Sequence, residues 1–295
     1  MISVCIPVYN FDINPLVEAL LEEILAHSLA VEIVLIDDCS HERVKQKNKV
    51  EHNNVKYIQL TENIGRSKIR NLFLKYVTND YLLFLDCDSF IISKDFLRSY
   101  MAQLQNKDSV ICGGRVYPEN RPNRSRLLRW KYGVKKESKT AVERMANPNK
   151  SFMTNNFLIK KSVLLDIQFD EQLTQYGHED TLFGLELKKA GITITHIENP
   201  IFNGDIETNE VFLEKSEKAL DNLILLCATS KHADDLTKEV SILIVAKKIQ
   251  FIKPLMRFHH LLFGGMMKAL LKNGLAGVMC FDIYRLGYLA VRMED

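Results

Sequence analysis

The segment LFLDCDSFI, Leu83 to Ile91, ends an apolar run in two aspartates one residue apart, Asp86 and Asp88. Carboxylates are costly to bury without partners, so the pair needs a reason. In an extended segment alternate side chains share a face, which sets the two carboxylates together and Cys87 away from them. Two carboxylates so placed make a partial site for Mg2+ or Mn2+, hard ions whose remaining positions water and substrate phosphates commonly fill. The alternative is capping of a following helix that starts at Ser89 or Ser93, where early acids suit the positive helix end. Chance alone places about one D-x-D in a chain of this composition, so the neighbours must decide.

Three other groups have chemistry to offer. Asp37-Asp38-Cys39-Ser40 also ends an apolar strand, and a carboxylate there can accept from a planar base or a ribose. An Asx-type turn explains the same residues. NIGRSKIRN, Asn63 to Asn71, places Gly65 ahead of a helix carrying Arg66, Lys68 and Arg70. A phosphate could use that helix end and an arginine together, or the helix could present a solvated basic face. YGHEDTLFG, Tyr176 to Gly184, opens a helix with Glu179 and Asp180. The helix dipole favours ionised carboxylates there, as a proton acceptor must be, although an acidic first turn is also an ordinary helix start. His178 reads as a packing or hydrogen-bonding histidine.

Apolar periodicity supplies the elements that would carry these groups. Strands are expected at 2–7, 31–37, 55–60, 81–86 and 109–116, and helices at 15–27, 66–76 and 94–105. This alternation predicts an α/β fold with a mostly parallel sheet flanked by helices, whose ligands gather beyond the carboxyl ends of the strands. Asn10, Asp37-Asp38 and Asp86/Asp88 all follow such ends. Residues 117–150, rich in Arg, Lys, Asn and Pro, read as a mobile loop with some helix. A strand and short helix follow within 152–167, then a helix ending near Gly191 and a strand at ITITHI. Beyond Glu207 the pattern is helical, interrupted at Pro254, Gly264-Gly265 and Gly274.

Net charge is +2 over 295 residues, which argues against bulk nucleic-acid binding. The charge is uneven: nine Lys or Arg against two Glu from Arg115 to Lys139, and eight against one Asp from Lys247 to Arg292. Six scattered cysteines without C-x-x-C spacing suggest reduced, packed thiols. MISVCIPVYN offers no signal-peptide pattern, and no apolar run approaches a membrane span. A cytoplasmic protein is expected.

In the order VCIPVYN, VLIDDCS, ENIGRSKIRN, LLFLDCD and YGHEDTLFG, the chain resembles the family 2 glycosyltransferases of GT-A fold over about residues 1–230. The GHED form is most similar to the branch of chondroitin-polymerase-type and galactosyltransferase-like enzymes. The resemblance implies a UDP-sugar donor and a Mn2+ or Mg2+ cofactor. It implies that Pro7, Tyr9, Asn10, Asp37, Asp38 and Asn63 border the nucleotide, with Asp38 on the uracil ring, and that Arg70 faces base or diphosphate. Asp86 would contact ribose or sugar, and Asp88 would ligate a metal bridging the phosphates. Asp180 would be the general base of an inverting transfer, with Glu179 and His178 at the acceptor. Asn156 and Gly113-Gly114 would line the acceptor or donor-sugar pocket. Many members carry a histidine metal ligand where this chain has Asn203, whose amide oxygen is a weaker ligand.

A catalytic domain over 1–230 and a helical C-terminal extension over 231–295 are therefore expected. The extension is both apolar and basic, so its helices either pack on the catalytic domain or lie on an anionic membrane surface at the inner face of the plasma membrane, near a lipid-linked or glycan acceptor. Two rival functions share these features. A sugar-phosphate nucleotidyltransferase normally needs a glycine-rich basic loop after the first strand, which PVYNFDINP lacks. A non-catalytic nucleotide-sugar-binding protein is the other.

Overall fold

The computed structural model describes residues 1–106, 109–173, 176–203 and 206–293, with the side chain of Asn203 outside that description. Two compact units are each assembled from separated stretches: Met1–Val116, Ser138–Thr174 and Phe183–Asp205 form the first, and Tyr117–Glu137, Gln175–Leu182 and Ile206–Asp295 the second. In chain order the first stretch runs β1 (Ile2–Val8), α1 (Asn14–Ala26), β2 (Val31–Asp37), α2 (Glu42–Lys47), β3 (Val55–Gln59), α3 (Arg66–Leu72), β4 (Tyr81–Leu85), β5 (Ser89–Ile91), α4 (Phe96–Gln103), β6 (Val110–Cys112) and β7 (Arg115–Val116). Helix α5 (Leu127–Tyr132) lies in the second unit, whereas α6 (Ala141–Met145), β8 (Asn156–Lys160) and α7 (Lys161–Asp166) return to the first. Helix α8 (Glu179–Lys189) starts in the second unit and ends in the first, which β9 (Thr195–His196) and β10 (Ile201–Asn203) complete. The second unit then continues as α9 (Asn209–Thr229), α10 (Ala233–Glu239), α11 (Ser241–Lys248), α12 (Lys253–Lys272) and α13 (Val278–Arg292).

The first unit is built on a seven-stranded sheet of order β3-β2-β1-β4-β8-β6-β9. Pairings among β3, β2, β1 and β4 are parallel, while β8 runs antiparallel to both its neighbours. Period-two alternation divides the apolar strands between two faces. Ile2, Val4, Ile6, Val8, Ile33, Leu35, Leu83 and Leu85 pack with Leu20 and Ile24 of α1 and Phe96 and Tyr100 of α4. Cys5, Val34, Ile36, Leu82 and Phe84 pack with Ile69, Phe73, Phe157, Phe183 and Leu187 on the other face. Burial on both faces is why these strands read as largely apolar runs. Glu23 of α1 joins the layers on the first face. Its carboxylate is buried and accepts the backbone N–H groups of Leu97 at 2.9 Å and Arg98 at 3.0 Å, so it caps α4 from a neighbouring helix.

A second, three-stranded sheet has the order β5-β10-β7. It explains a difference from the sequence expectation. The single strand expected at 109–116 is two short ones, β6 in the large sheet and β7 in the small one, separated where Gly114 adopts φ +88°. Likewise β4 stops at Leu85, and the chain turns into β5 through Asp86–Asp88, where the Ser89 N–H donates to the Asp86 carbonyl at 3.1 Å. Asp86 and Asp88 therefore sit on a turn between two sheets, and not on one extended strand as expected.

The second unit is helical. Leu128, Leu213, Met267, Leu271, Phe281 and Tyr284 form its core. Residues 117–137, expected to be a mobile loop, are tied into it: the buried Arg129 bonds Glu137 and Tyr117 and lies 4.9 Å from the Phe212 ring centre. The boundary expected at residue 230 falls just after α9, with the helices on both sides of it in this unit. Gly264 and Gly265 lie inside α12 and do not interrupt it, and Pro254 occupies its first turn, where a missing N–H is harmless. Gly274, at φ +68°, does end the helix. None of the six cysteines is paired.

Candidate active site

The strand register fixes where the polar groups lie. Val8 pairs with Asp37 and Cys5 with Phe84, so the ends of β1, β2 and β4 reach nearly the same level. Their connecting loops are then fastened to each other. The Asn10 N–H donates to Ser40 Oγ and the His41 N–H donates to Asn10 Oδ1, both at 2.8 Å. Asn10 adopts φ +50°, a conformation asparagine tolerates better than most residues. Tyr9, beside it, is 53% exposed and offers an aromatic face at this edge, with Pro7 partly exposed below it.

The adjacent aspartates after β2 have different tasks. Asp37 is wholly buried, with Oδ1 accepting from the Ser40 N–H at 2.7 Å and Oδ2 from the Tyr57 hydroxyl at 2.9 Å. It forms the Asx-type turn that the sequence also allowed, and it braces the loop after β2. Asp38 accepts from the Ile64 N–H at 2.7 Å and the Gly65 N–H at 3.1 Å. Burial pushes the Asp38 pKa up, against those two hydrogen bonds and with the help of neighbouring Asp37. Asn63 donates to the Asp38 carbonyl at 3.1 Å, closing the loop ahead of α3.

The β4–β5 turn is the most chemically equipped part of this edge. Asp86 is one-third exposed and pairs with Arg70 of α3 through a 3.2 Å contact, the Arg70 side chain itself being 3% exposed. Arg70 also donates to the Arg66 carbonyl and lies 5.6 Å from the centre of the Phe169 ring. Arg70, expected to face a base or diphosphate, is packed against Asp86 and holds that carboxylate. The Cys87 thiol is pushed up to about 12 by burial and by Asp88 and Asp86, so it stays protonated. Asp88 is partly exposed. In the second sheet Asn203 pairs with Ser89, which places position 203 across from the residue after Asp88. The Asn203 side chain, expected as a weak metal ligand, lies outside the described structure. Among the described residues no cluster of three or more His, Cys, Asp or Glu is set to hold a metal. Two carboxylates on an exposed turn fit a hard divalent ion that takes its other ligands from water and phosphate.

Asn156 and Gly114 are drawn away from any opening. The Asn156 amide is buried: Tyr100 donates to Oδ1 at 2.7 Å, and Nδ2 donates to the Gly114 and Asn199 carbonyls at 2.9 and 3.0 Å. Both hydrogens of the amide nitrogen are therefore used inside the protein, and the oxygen keeps one lone pair. A Cβ on Gly114 would stand 2.3 Å from the guanidinium of Arg144, and its positive φ adds to the restriction. Gly114 therefore makes room for a buried arginine. Arg144 is the residue that sequence reasoning missed. It donates from Nε to His196 Nδ1 at 3.1 Å and from Nη2 to the carbonyls of Gly113 and Ile197 at 3.0 and 2.7 Å. No local sequence pattern marks it.

In the second unit, α8 opens on Glu179 and Asp180. Its entry is fixed by Gly177 at φ +98°, where a Cβ would stand 2.8 Å from that of Ala219, and by Asn222, which donates to the Gly177 carbonyl at 2.7 Å. Glu179 is buried and Asp180 partly exposed, with Asp180 Oδ1 accepting the Thr181 N–H at 2.7 Å. His178, at φ +71°, has its pKa lowered to about 4 by burial, against Glu179 and with Arg285. The imidazole is therefore uncharged at neutral pH. It also carries a stability prediction. The unfolded chain binds this proton below about 6.5 and the folded one only near 4, so stability is full above 6.5 and declines as pH falls between them, by up to about 3 kcal/mol. Denaturant midpoints from pH 7.5 to 4.5 should fall less steeply in His178→Asn than in the parent. Equal slopes would remove His178 from this part.

A mostly parallel sheet covered by helices, with its polar groups gathered at the strand ends, defines a nucleotide-sugar-transferase-like α/β protein of GT-A type. The family model for glycosyl transferase family 2 matches residues 3–167, and the chain belongs to that family. A poly(ribitol-phosphate) beta-glucosyltransferase of Bacillus spizizenii is 30% identical over 119 residues, covering 38% of this chain and 18% of that protein. Among solved structures, TarS of S. aureus superposes with a TM-score of 0.50 at 23% identity over 76% of this chain and 39% of its own. The mannosyltransferase PcManGT of Pyrobaculum calidifontis, solved with GDP-Man and Mn2+, gives 0.54 at 13% identity over 78% and 65%. The chain thus spans less than a fifth of the glucosyltransferase and about two-fifths of TarS.

Proposed function

We propose that the chain transfers a sugar, with inversion, from a UDP-sugar to a hydroxyl of a glycan or lipid-linked acceptor. The observation that carries this reading is the β4–β5 turn, which puts Asp86 and Asp88 at the end of a buried parallel strand with Arg70 clamping the first of them. Family membership and the GDP-Man complex of PcManGT support a nucleotide-diphosphate sugar as donor. Tyr9 and Asn10 border the base and ribose, and Asp38 contributes from the adjoining loop through the oxygen lone pairs that its two backbone donors leave over.

The residues divide the chemistry between them. Asp88, with Asp86 beside it, would hold Mn2+ or Mg2+. When bound, that ion neutralises charge growing on the departing diphosphate. Arg70 keeps Asp86 oriented and adds positive potential beneath the turn. Asp180 accepts the proton of the attacking hydroxyl, and Glu179 and His178 shape the start of the same helix for the acceptor. Attack from the face opposite the leaving group inverts the anomeric carbon, so no protein nucleophile is needed.

A panel of UDP-sugars tested with glycan, lipid-linked and poly(ribitol-phosphate) acceptors examines this directly. Acceptor-dependent UDP release is expected with Mn2+ or Mg2+. It should fall ~100-fold or more with a chelator or in Asp88→Asn, as expected when a stabiliser of developing charge is removed. Binding of UDP without turnover on any acceptor would leave a non-catalytic nucleotide-sugar-binding protein in its place. Exchange of pyrophosphate into the donor would instead mark a nucleotidyltransferase.

A further inference from the structure

Helix α12 has one face in the core of the second unit and one in solvent. Gly264, Met267 and Leu271 are buried. On the opposite side Leu255, Phe258, Leu261, Leu262 and Met266, with Phe251 just ahead of the helix, are 57–79% exposed. Positions 251, 255, 258, 262 and 266 repeat at the spacing of a single helix face, so the exposed groups form a continuous row. An uncovered apolar row of this length is far from the scattered exposure of ordinary surfaces.

The charge around that row has one sign. Between Glu239 and Asp282 there is no carboxylate, while Lys247, Lys248, Lys253, Arg257, Lys268 and Lys272 are basic. Lys268 and Lys272 pair with Glu217 and Glu210 of α9. Lys247, Lys248 and Arg257 are exposed near the start of α12. The same helix contributes Met256 to a cavity of about 370 Å³, whose walls include Leu243, Leu286, Leu289 and Lys247. A recess of that size and lining admits hydrocarbon. No helix among the described residues is long and apolar enough to cross a membrane. A second copy of this chain is the poorer occupant, because a two-fold contact brings identical basic flanks together. An anionic partner with an apolar interior suits both the row and its charge.

We propose that the outer face of α12 lies on an anionic phospholipid bilayer, its apolar row at the boundary of headgroups and acyl chains and Lys247, Lys248 and Arg257 against lipid phosphates. This goes beyond the transfer reaction and does not depend on it. At ~1 kcal/mol for each basic residue near such a surface, three of them favour anionic over neutral vesicles by about 100-fold.

The test is sedimentation of the full chain with vesicles of phosphatidylcholine, with and without phosphatidylglycerol, at low and high salt. Binding is expected to need phosphatidylglycerol and to weaken with salt. In the doubly substituted chain, Phe258→Glu with Leu262→Glu, it should drop at least tenfold. Both positions are exposed, and an unchanged far-UV circular dichroism spectrum would establish that the variant is folded. Equal binding to both vesicle types, or an unaltered variant, overturns the proposal. So does concentration-dependent self-association that the variant abolishes without any vesicle binding, since the face would then serve a second copy.

Discussion

Asp180→Asn is expected to lower acceptor-dependent turnover by about 10³-fold while UDP binds as tightly as before. General-base catalysis by a placed side chain is worth about 10²- to 10⁴-fold, and the amide cannot accept the proton. The substitution is nearly isosteric, and an amide oxygen can keep the hydrogen bond from the Thr181 N–H that Asp180 now accepts. The helix start should therefore survive, with Gly177 and Asn222 still fixing its entry. The residues proposed to hold nucleotide and metal, Tyr9, Asn10, Asp38, Asp86 and Asp88, all belong to the first unit. The two readouts separate the possibilities. Turnover within tenfold of the parent removes Asp180 from the role of base. A matching loss of UDP affinity moves it into donor binding. Asp180→Glu, which keeps the carboxylate but extends it by a methylene, should recover part of the rate only if a base is what is missing.

The strands bearing this chemistry were readable because their physics is local. β1, β2 and β4 are buried on both faces, so each is a largely apolar run, broken only by Ser3 in β1 and Glu32 in β2, that stops abruptly at a polar residue. Asp86, Asp38 and Asn10 were found at those stops. What a neighbouring polar residue does after the stop was not readable. Asp37 and Asp38 are adjacent and chemically identical, yet one is fully buried beneath Tyr57 and the other braces the loop before α3. The difference lies in Tyr57, twenty residues on. Arg70 similarly looked like one of three basic residues on a helix, and only its buried contact with Asp86 gives it a distinct task. β5, β7 and β10 span two or three residues each, too few for a periodic signal, and they turned the expected extended D-x-D into a turn. Nothing near Asn156 and Gly114 in sequence announces Arg144, which packs against Gly114.

Arg144→Met should accordingly cost the first unit about 3–5 kcal/mol of stability, although the position lies in a stretch expected to be a mobile loop. Arg144 is 1% exposed, and its guanidinium answers acceptors from separate segments: His196 Nδ1 and the carbonyls of Lys139, Gly113 and Ile197. Burial pulls its pKa below the usual arginine range, with Glu198 the largest opposing influence. Methionine fills much of the volume but leaves those acceptors unanswered, at roughly 1–3 kcal/mol for each that stays buried and dry. Arg144→Lys should recover less than half of the loss, because one ammonium cannot reach the three directions that a planar guanidinium spans. His196 gives an internal check. Its Nε2 lies 2.9 Å from the Pro148 carbonyl, so the neutral ring donates there while Nδ1 accepts from Arg144. Losing Arg144 frees Nδ1 to take a proton, and the His196 pKa, now held below its ordinary value by burial, should rise in the variant. Chemical denaturation and a histidine NMR titration read the two effects separately. A stability change under 1 kcal/mol, or an unmoved His196 titration, would mean that the turn at Gly113-Gly114 is held by Asn156 and Tyr100 without the arginine.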